Sequence, residues 1–93
     1  MTSIRAVVTG TVQGVGFRWF TRDTADAHRV TGWVRNRRDG SVEAELHGAD
    51  ADVAAVLHLL RSGPSHARVT GITTAPLDPG VSSPSGFEIR STG

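Results

Sequence analysis

Residues 7–20 read VVTGTVQGVGFRWF, with three glycines inside seven positions and a phenylalanine and an arginine directly behind them. Upstream, from Ser3 to Val12, the chain alternates: Ile4, Ala6, Val8, Gly10 and Val12 on one side, Arg5, Thr9 and Thr11 on the other. Period two with β-branched residues predicts a half-buried strand. Downstream, RWFTRDTADAHR (residues 18–29) lacks Gly and Pro and predicts a helix. Its spacing buries either Phe20, Thr24 and Ala27 or Thr21, Ala25 and His28. Glycine is costly to order, so a glycine-rich turn between a strand and a helix calls for a physical reason.

One reason is an anion. At a helix start the first backbone N–H groups have no intrahelical partner, and the helix dipole favours negative charge. Gly14 and Gly16 let several N–H groups converge, and Arg18 adds a planar fork of donors that suits phosphate. From spacing alone, a single-phosphate cradle and a plain structural turn stand level. The dinucleotide fingerprint fails, because it needs a third glycine where Trp19 stands and a longer chain.

The rest of the chain supplies the other elements. VTGWVRNRR and SVEAELHG flank Asp39–Gly40, which predicts two strands joined by a two-residue hairpin turn. In the second arm Val42, Ala44 and Leu46 point inward, and Ser41, Glu43, Glu45 and His47 outward. Val53, Val56, Leu57 and Leu60 then fall at i, i+3, i+4 and i+7 of a helix. Asp50 is placed to cap it and Gly63–Pro64 to stop it. ARVTGITTA predicts a fourth strand, PLDPGVSSPSG a loop and FEIR a short last strand. The order is β-α-β-β-α-β plus a terminal strand. It predicts an α+β, ferredoxin-like sandwich with two helices on one face of a mostly antiparallel sheet. Residues 1–93 form one domain by this reading.

Composition removes whole classes of chemistry. There is no cysteine, hence no disulfide, thiolate metal site or cysteine nucleophile. All ten basic side chains are arginine, so neither a Walker lysine nor a Schiff-base side chain exists. A net charge of +1 gives no electrostatic case for nucleic acid. An RNA-recognition motif shares the element order, but its aromatic platform belongs on the third strand. Here that strand is SVEAELH, with two carboxylates and no aromatic. No apolar run is long enough to span a bilayer and no signal-peptide core opens the chain, so a cytoplasmic protein is expected. His28, His47, His58 and His66 show no ligand spacing. Arg35, Arg37 and Arg38 are expected to be solvated, Trp33 to pack, and Trp19 to flank the site or stand exposed.

Two segments carry a family resemblance. GTVQGVGFR, residues 10–18, and GWVRNRRDGSVEAELHG, residues 32–48, closely resemble the two signature segments of the acylphosphatases. The likeness extends over nearly the whole chain, to the closing GFEIR, although IRSTG lacks the aromatic that often follows the final arginine. The resemblance implies a ferredoxin-like fold with a fifth strand and hydrolysis of the carboxyl–phosphate bond of acyl phosphates. Carried over by position, Arg18 matches the catalytic, phosphate-binding arginine and Asn36 the asparagine that orients the attacking water. Gln13, Gly14, Val15, Gly16 and Phe17 match the loop whose backbone amides receive the phosphate. The implied partners are a small acyl phosphate and inorganic phosphate, with no metal or other cofactor, no nucleic acid and no membrane, acting on a monomer. The alternative is a non-catalytic module that binds phosphate or acyl phosphate. The acylphosphatase-like domain of large hydrogenase-maturing carbamoyltransferases fits the chain length less well.

Overall fold

The structure, a computed structural model, describes residues 1–78 and 80–93. Its elements are β1 (Thr2–Thr11), α1 (Phe17–Ala27), β2 (Thr31–Asn36), β3 (Val42–Gly48), α2 (Asp50–Ser62), β4 (Arg68–Pro76) and β5 (Phe87–Ile89). The strands form one mixed sheet in the order β4-β1-β3-β2-β5. All neighbours are antiparallel except β2 and β5. The two helices pack against the sheet and each other. This is the expected α+β, ferredoxin-like sandwich with its fifth strand. Pro79, inside the expected loop before β5, lies outside the described residues. No helix among the described residues is long and apolar enough to cross a membrane.

The core forms where the two periodicities meet. The sheet contributes Val8, Val34, Val42, Ala44 and Leu46, and α2 contributes Val53, Val56 and Leu60, all almost fully buried. α1 buries Phe17, Thr21, Thr24 and Ala25. The second of the two expected faces is therefore the inner one, shifted one turn earlier, and Ala27 is exposed.

Gly10 belongs to the sheet, not to the loop. It sits at a register shift between β1 and β4 with φ +123°, and a Cβ there would lie 2.0 Å from the Arg68 carbonyl oxygen. The close approach of β4 requires glycine at this position.

Four expectations are corrected. β3 has paired strands on both edges, so Glu43 and His47 are buried instead of facing outward, and Ser41 is buried beside them. Glu43 accepts from Arg35 at 2.8 Å and lies 3.8 Å from Arg5, whose long side chains cover the sheet face without helices. The hairpin turn has three residues, not two. Asn36 pairs with Val42, the Arg37 N–H donates to Ser41 O and the Gly40 N–H donates to Arg37 O. Gly40 alone takes a positive φ, +94°, which fits a turn closed by a bulge. Asp50 does not cap α2. Ala49 is the N-cap, and Asp50 instead pairs with the chain's terminal ammonium at 3.3 Å and accepts from Thr2 Oγ1.

The last correction is the end of α1, at Ala27 and not Arg29. Arg29 has φ +58°; its N–H donates to Asp26 O, and the Val30 N–H donates to Ala25 O. These two bonds make a Schellman motif, and Val30 and Ala25 are both buried in the core. The left-handed position normally carries glycine. An arginine there stores backbone strain of about 1 kcal/mol, which burial of Val30 offsets.

Arg29→Gly should therefore stabilise the protein, but only by up to about 0.5 kcal/mol once the extra freedom glycine gives the unfolded chain is subtracted from the relieved strain. Urea unfolding should show a higher midpoint at an unchanged slope. A lower midpoint would mean that the arginine side chain contributes more than its backbone costs.

Candidate active site

α1 starts without a cap. Its N-cap is Gly16 at φ +79°, no side chain among the described residues bonds to the first-turn amides, and no acidic residue stands in that turn. Gly14 is also left-handed, at φ +74°. A Cβ at either glycine would meet nothing within 4 Å, so it is their φ, and not crowding, that requires glycine. The first backbone bond closing the helix is from the Phe20 N–H to Gly16 O. The amides of Phe17, Arg18 and Trp19 thus precede it without backbone partners among the described residues.

These glycines border a cavity of about 240 Å³. Arg18 and Trp19, from the first turn of α1, line it together with Asn36 from the end of β2. Val12 and Phe17 complete the wall, each at most 2% exposed. The structure therefore brings Arg18, Asn36, Gly14, Gly16 and Phe17 to one place. Gln13 and Val15 do not line the cavity; Val15 packs against the core.

Gln13 has a different task. Its Nε2 donates to Arg37 O at 2.7 Å and to Ser41 O at 2.9 Å. One amide group ties the glycine loop to both sides of the β2–β3 turn. Asp39 shapes that turn, its Oδ1 accepting from the Ser41 N–H and hydroxyl. The Ser41 hydroxyl, with the Ser41 N–H and nearby Arg37, holds the Asp39 carboxyl below the ordinary aspartate range. Behind the site, Arg18 Nη1 donates to Arg90 O in a long bond of 3.4 Å, and the Gly93 N–H donates to Asn36 O at 3.1 Å. The segment after β5 thus touches both Arg18 and the backbone of Asn36.

Sequence reasoning missed the Gln13 tie and the Arg90 carbonyl; Trp19, expected to flank the site or stand exposed, does both. A long amide among glycines was the available signal for the first; a backbone carbonyl leaves none. No group of three or more potential metal-ligating side chains occurs among the described residues.

These features define a ferredoxin-like α+β protein with an anion-receptive pocket at one end of its sheet. The family model Acylphosphatase matches residues 4–89. An acylphosphatase of Rhizobium etli is 51% identical over 72 residues, 77% of each chain. One from Azorhizobium caulinodans is 42% identical over 90 residues, covering 97% of this chain and 96% of its own. The crystal structure of acylphosphatase from Bacillus subtilis superposes with a TM-score of 0.91 at 33% identity, over 97% of this chain and 99% of that one. The chain belongs to the acylphosphatase family, and with it goes the hydrolysis of acyl phosphates.

Two outcomes test the geometry. Gln13→Ala should cost about 1–2 kcal/mol of stability, since both carbonyls keep a backbone donor, while kcat/KM falls roughly tenfold through loss of loop placement. Unchanged kinetics would make the tie idle. Asp39 titrates below 3.8 in the folded chain, so the unfolded chain binds more protons as acid is added. Its contribution is complete above the ordinary aspartate range and is lost as pH falls through the folded value. The gap in urea midpoint between wild type and Asp39→Ala should be constant from pH 8 to about 5 and close in stronger acid. A gap that persists at the lowest pH would refute the carboxylate's role.

Proposed function

We propose that this cavity is the catalytic site, with backbone amides of the glycine loop that border it (Gly14, Gly16, Phe17) and the Arg18 side chain holding the phosphoryl group and Asn36 holding the attacking water. The observation that carries the reading is that Arg18 and Asn36, from different elements, line one cavity beside an uncapped helix start. An acid or a capping side chain at that start would compete with phosphate, and neither occurs there.

The chemistry asks for little more. An acyl phosphate already carries a good carboxylate leaving group, so no strong general acid is needed. Phosphoryl transfer needs positioning and stabilisation of charge on the equatorial oxygens. Backbone N–H groups and a guanidinium are donors fixed before the reaction begins. The Asn36 amide does not titrate near neutrality; it accepts and donates hydrogen bonds and so aligns the water. The water oxygen attacks phosphorus as the bond to the acyl oxygen breaks. The electron pair leaves with the carboxylate, and the water proton passes to a phosphate oxygen.

Phosphate release from benzoyl phosphate, with a chelator present throughout, tests the assignment. Arg18→Ala and Asn36→Ala should each lose about 10²–10³ in kcat, and Arg18→Ala should also weaken competition by inorganic phosphate. Wild-type turnover in Asn36→Ala would remove the water-positioning role. Sensitivity of the wild type to chelator would overturn the metal-free route.

A further inference from the structure

We propose that Trp19 selects the acyl group, favouring acyl phosphates whose acyl part is flat and unsaturated, such as an aroyl group, over small alkyl ones. The inference rests on reading the cavity as the catalytic site. Trp19 lines that cavity and is 55% exposed. A large aromatic side chain left in water at a pocket forgoes burial that folding normally takes up. Val12 and Phe17, the other large apolar parts of the wall, are almost completely buried. The indole therefore supplies the open apolar surface of the site.

Direction supports the same assignment. In-line displacement sets the departing acyl group opposite the water, hence away from Asn36. Arg18 and Trp19 both line the cavity, so a phosphoryl group held by Arg18 leaves its acyl substituent within the same pocket as the indole.

The ring is also held in place. Arg22, three residues further along α1, sets its guanidinium carbon 4.4 Å from the Trp19 ring centroid. Arg22 Nη2 lies 3.3 Å from the Asp23 carboxylate, which steadies the guanidinium. The cation occupies one face of the ring, at the distance of an attractive cation–π contact. A ring fixed before binding loses little freedom when a second flat group stacks on it. Trp33 makes comparable arginine contacts but is 8% exposed and lies outside the cavity, so the two tryptophans are not equivalent.

The test compares benzoyl phosphate with acetyl phosphate in wild type, Trp19→Ala, Trp19→Phe and Arg22→Ala. Competition by benzoylphosphonate and acetylphosphonate serves as a turnover-free readout. The ratio of kcat/KM for benzoyl over acetyl phosphate should fall about 10-fold in Trp19→Ala, mainly through KM, and less in Arg22→Ala. Trp19→Phe should retain most of it. Preference for benzoylphosphonate should fall in parallel. Hydrolysis of both substrates with an unchanged ratio in Trp19→Ala overturns the inference and leaves the catalytic site standing. If wild type hydrolyses neither substrate, the catalytic reading falls. The phosphonates then decide alone: preference lost with the indole supports the inference, and equal binding refutes it.

Discussion

A strand with neighbours on both edges leaves its side chains little route to water, and β3 is such a strand. Its alternate residues Val42, Ala44 and Leu46 fill the core beneath the helices. The intervening Glu43 and His47 are buried on the face that no helix covers. A carboxylate in that position must be paired. Arg35 from β2 and Arg5 from β1 reach it from either side, joining the three central strands across their polar face. Those arginines are partly open to solvent, which reduces the pair's net worth to about 1 kcal/mol. Its larger effect is on register, because sliding β2 by one residue would separate Arg35 from Glu43 and send Val34 out of the core.

The site lies where this ordered sheet gives way to backbone that forgoes stability. A serine or aspartate side chain at the start of α1 would cap it, but its oxygen would occupy the first-turn amides, and the left-handed φ of Gly16 disfavours such a residue there. Gly16 leaves them free. The three glycines of the opening motif thus divide by physical cause. Gly10 allows the β4 backbone to approach, and Gly14 and Gly16 supply left-handed turns with open space beside them.

Much of this was legible in the sequence. Alternation and helical spacing gave the element order, and the two motifs paired Arg18 with Asn36, which line one cavity. What stayed hidden depended on partners that a linear pattern does not contain. Glu43 and His47 sit in a clean polar alternation, and only the position of β3 in the sheet buries them. Arg29 ends α1 without glycine because Val30 must turn inward, a tertiary demand that overrides local preference. The side-chain role of Gln13 depends on where the Arg37 and Ser41 carbonyls arrive.

The turn between β2 and β3 shows how far a local detail can reach. Had Asp39 and Gly40 formed the expected two-residue turn, Arg38 would face Ser41 and Arg37 would face Val42. Asn36 would then face Glu43, on the sheet face away from the helices. Residues paired across a ladder share a face, so that register would carry the asparagine to the wrong side of the sheet. The third residue in the turn, with the left-handed Gly40, pairs Asn36 with core-facing Val42 and returns it to the helix side, where Arg18 stands. The same extra residue closes the turn on the Arg37 N–H and brings both carbonyls within reach of Gln13. One bulge therefore sets the face of Asn36 and the anchor of the glycine loop together.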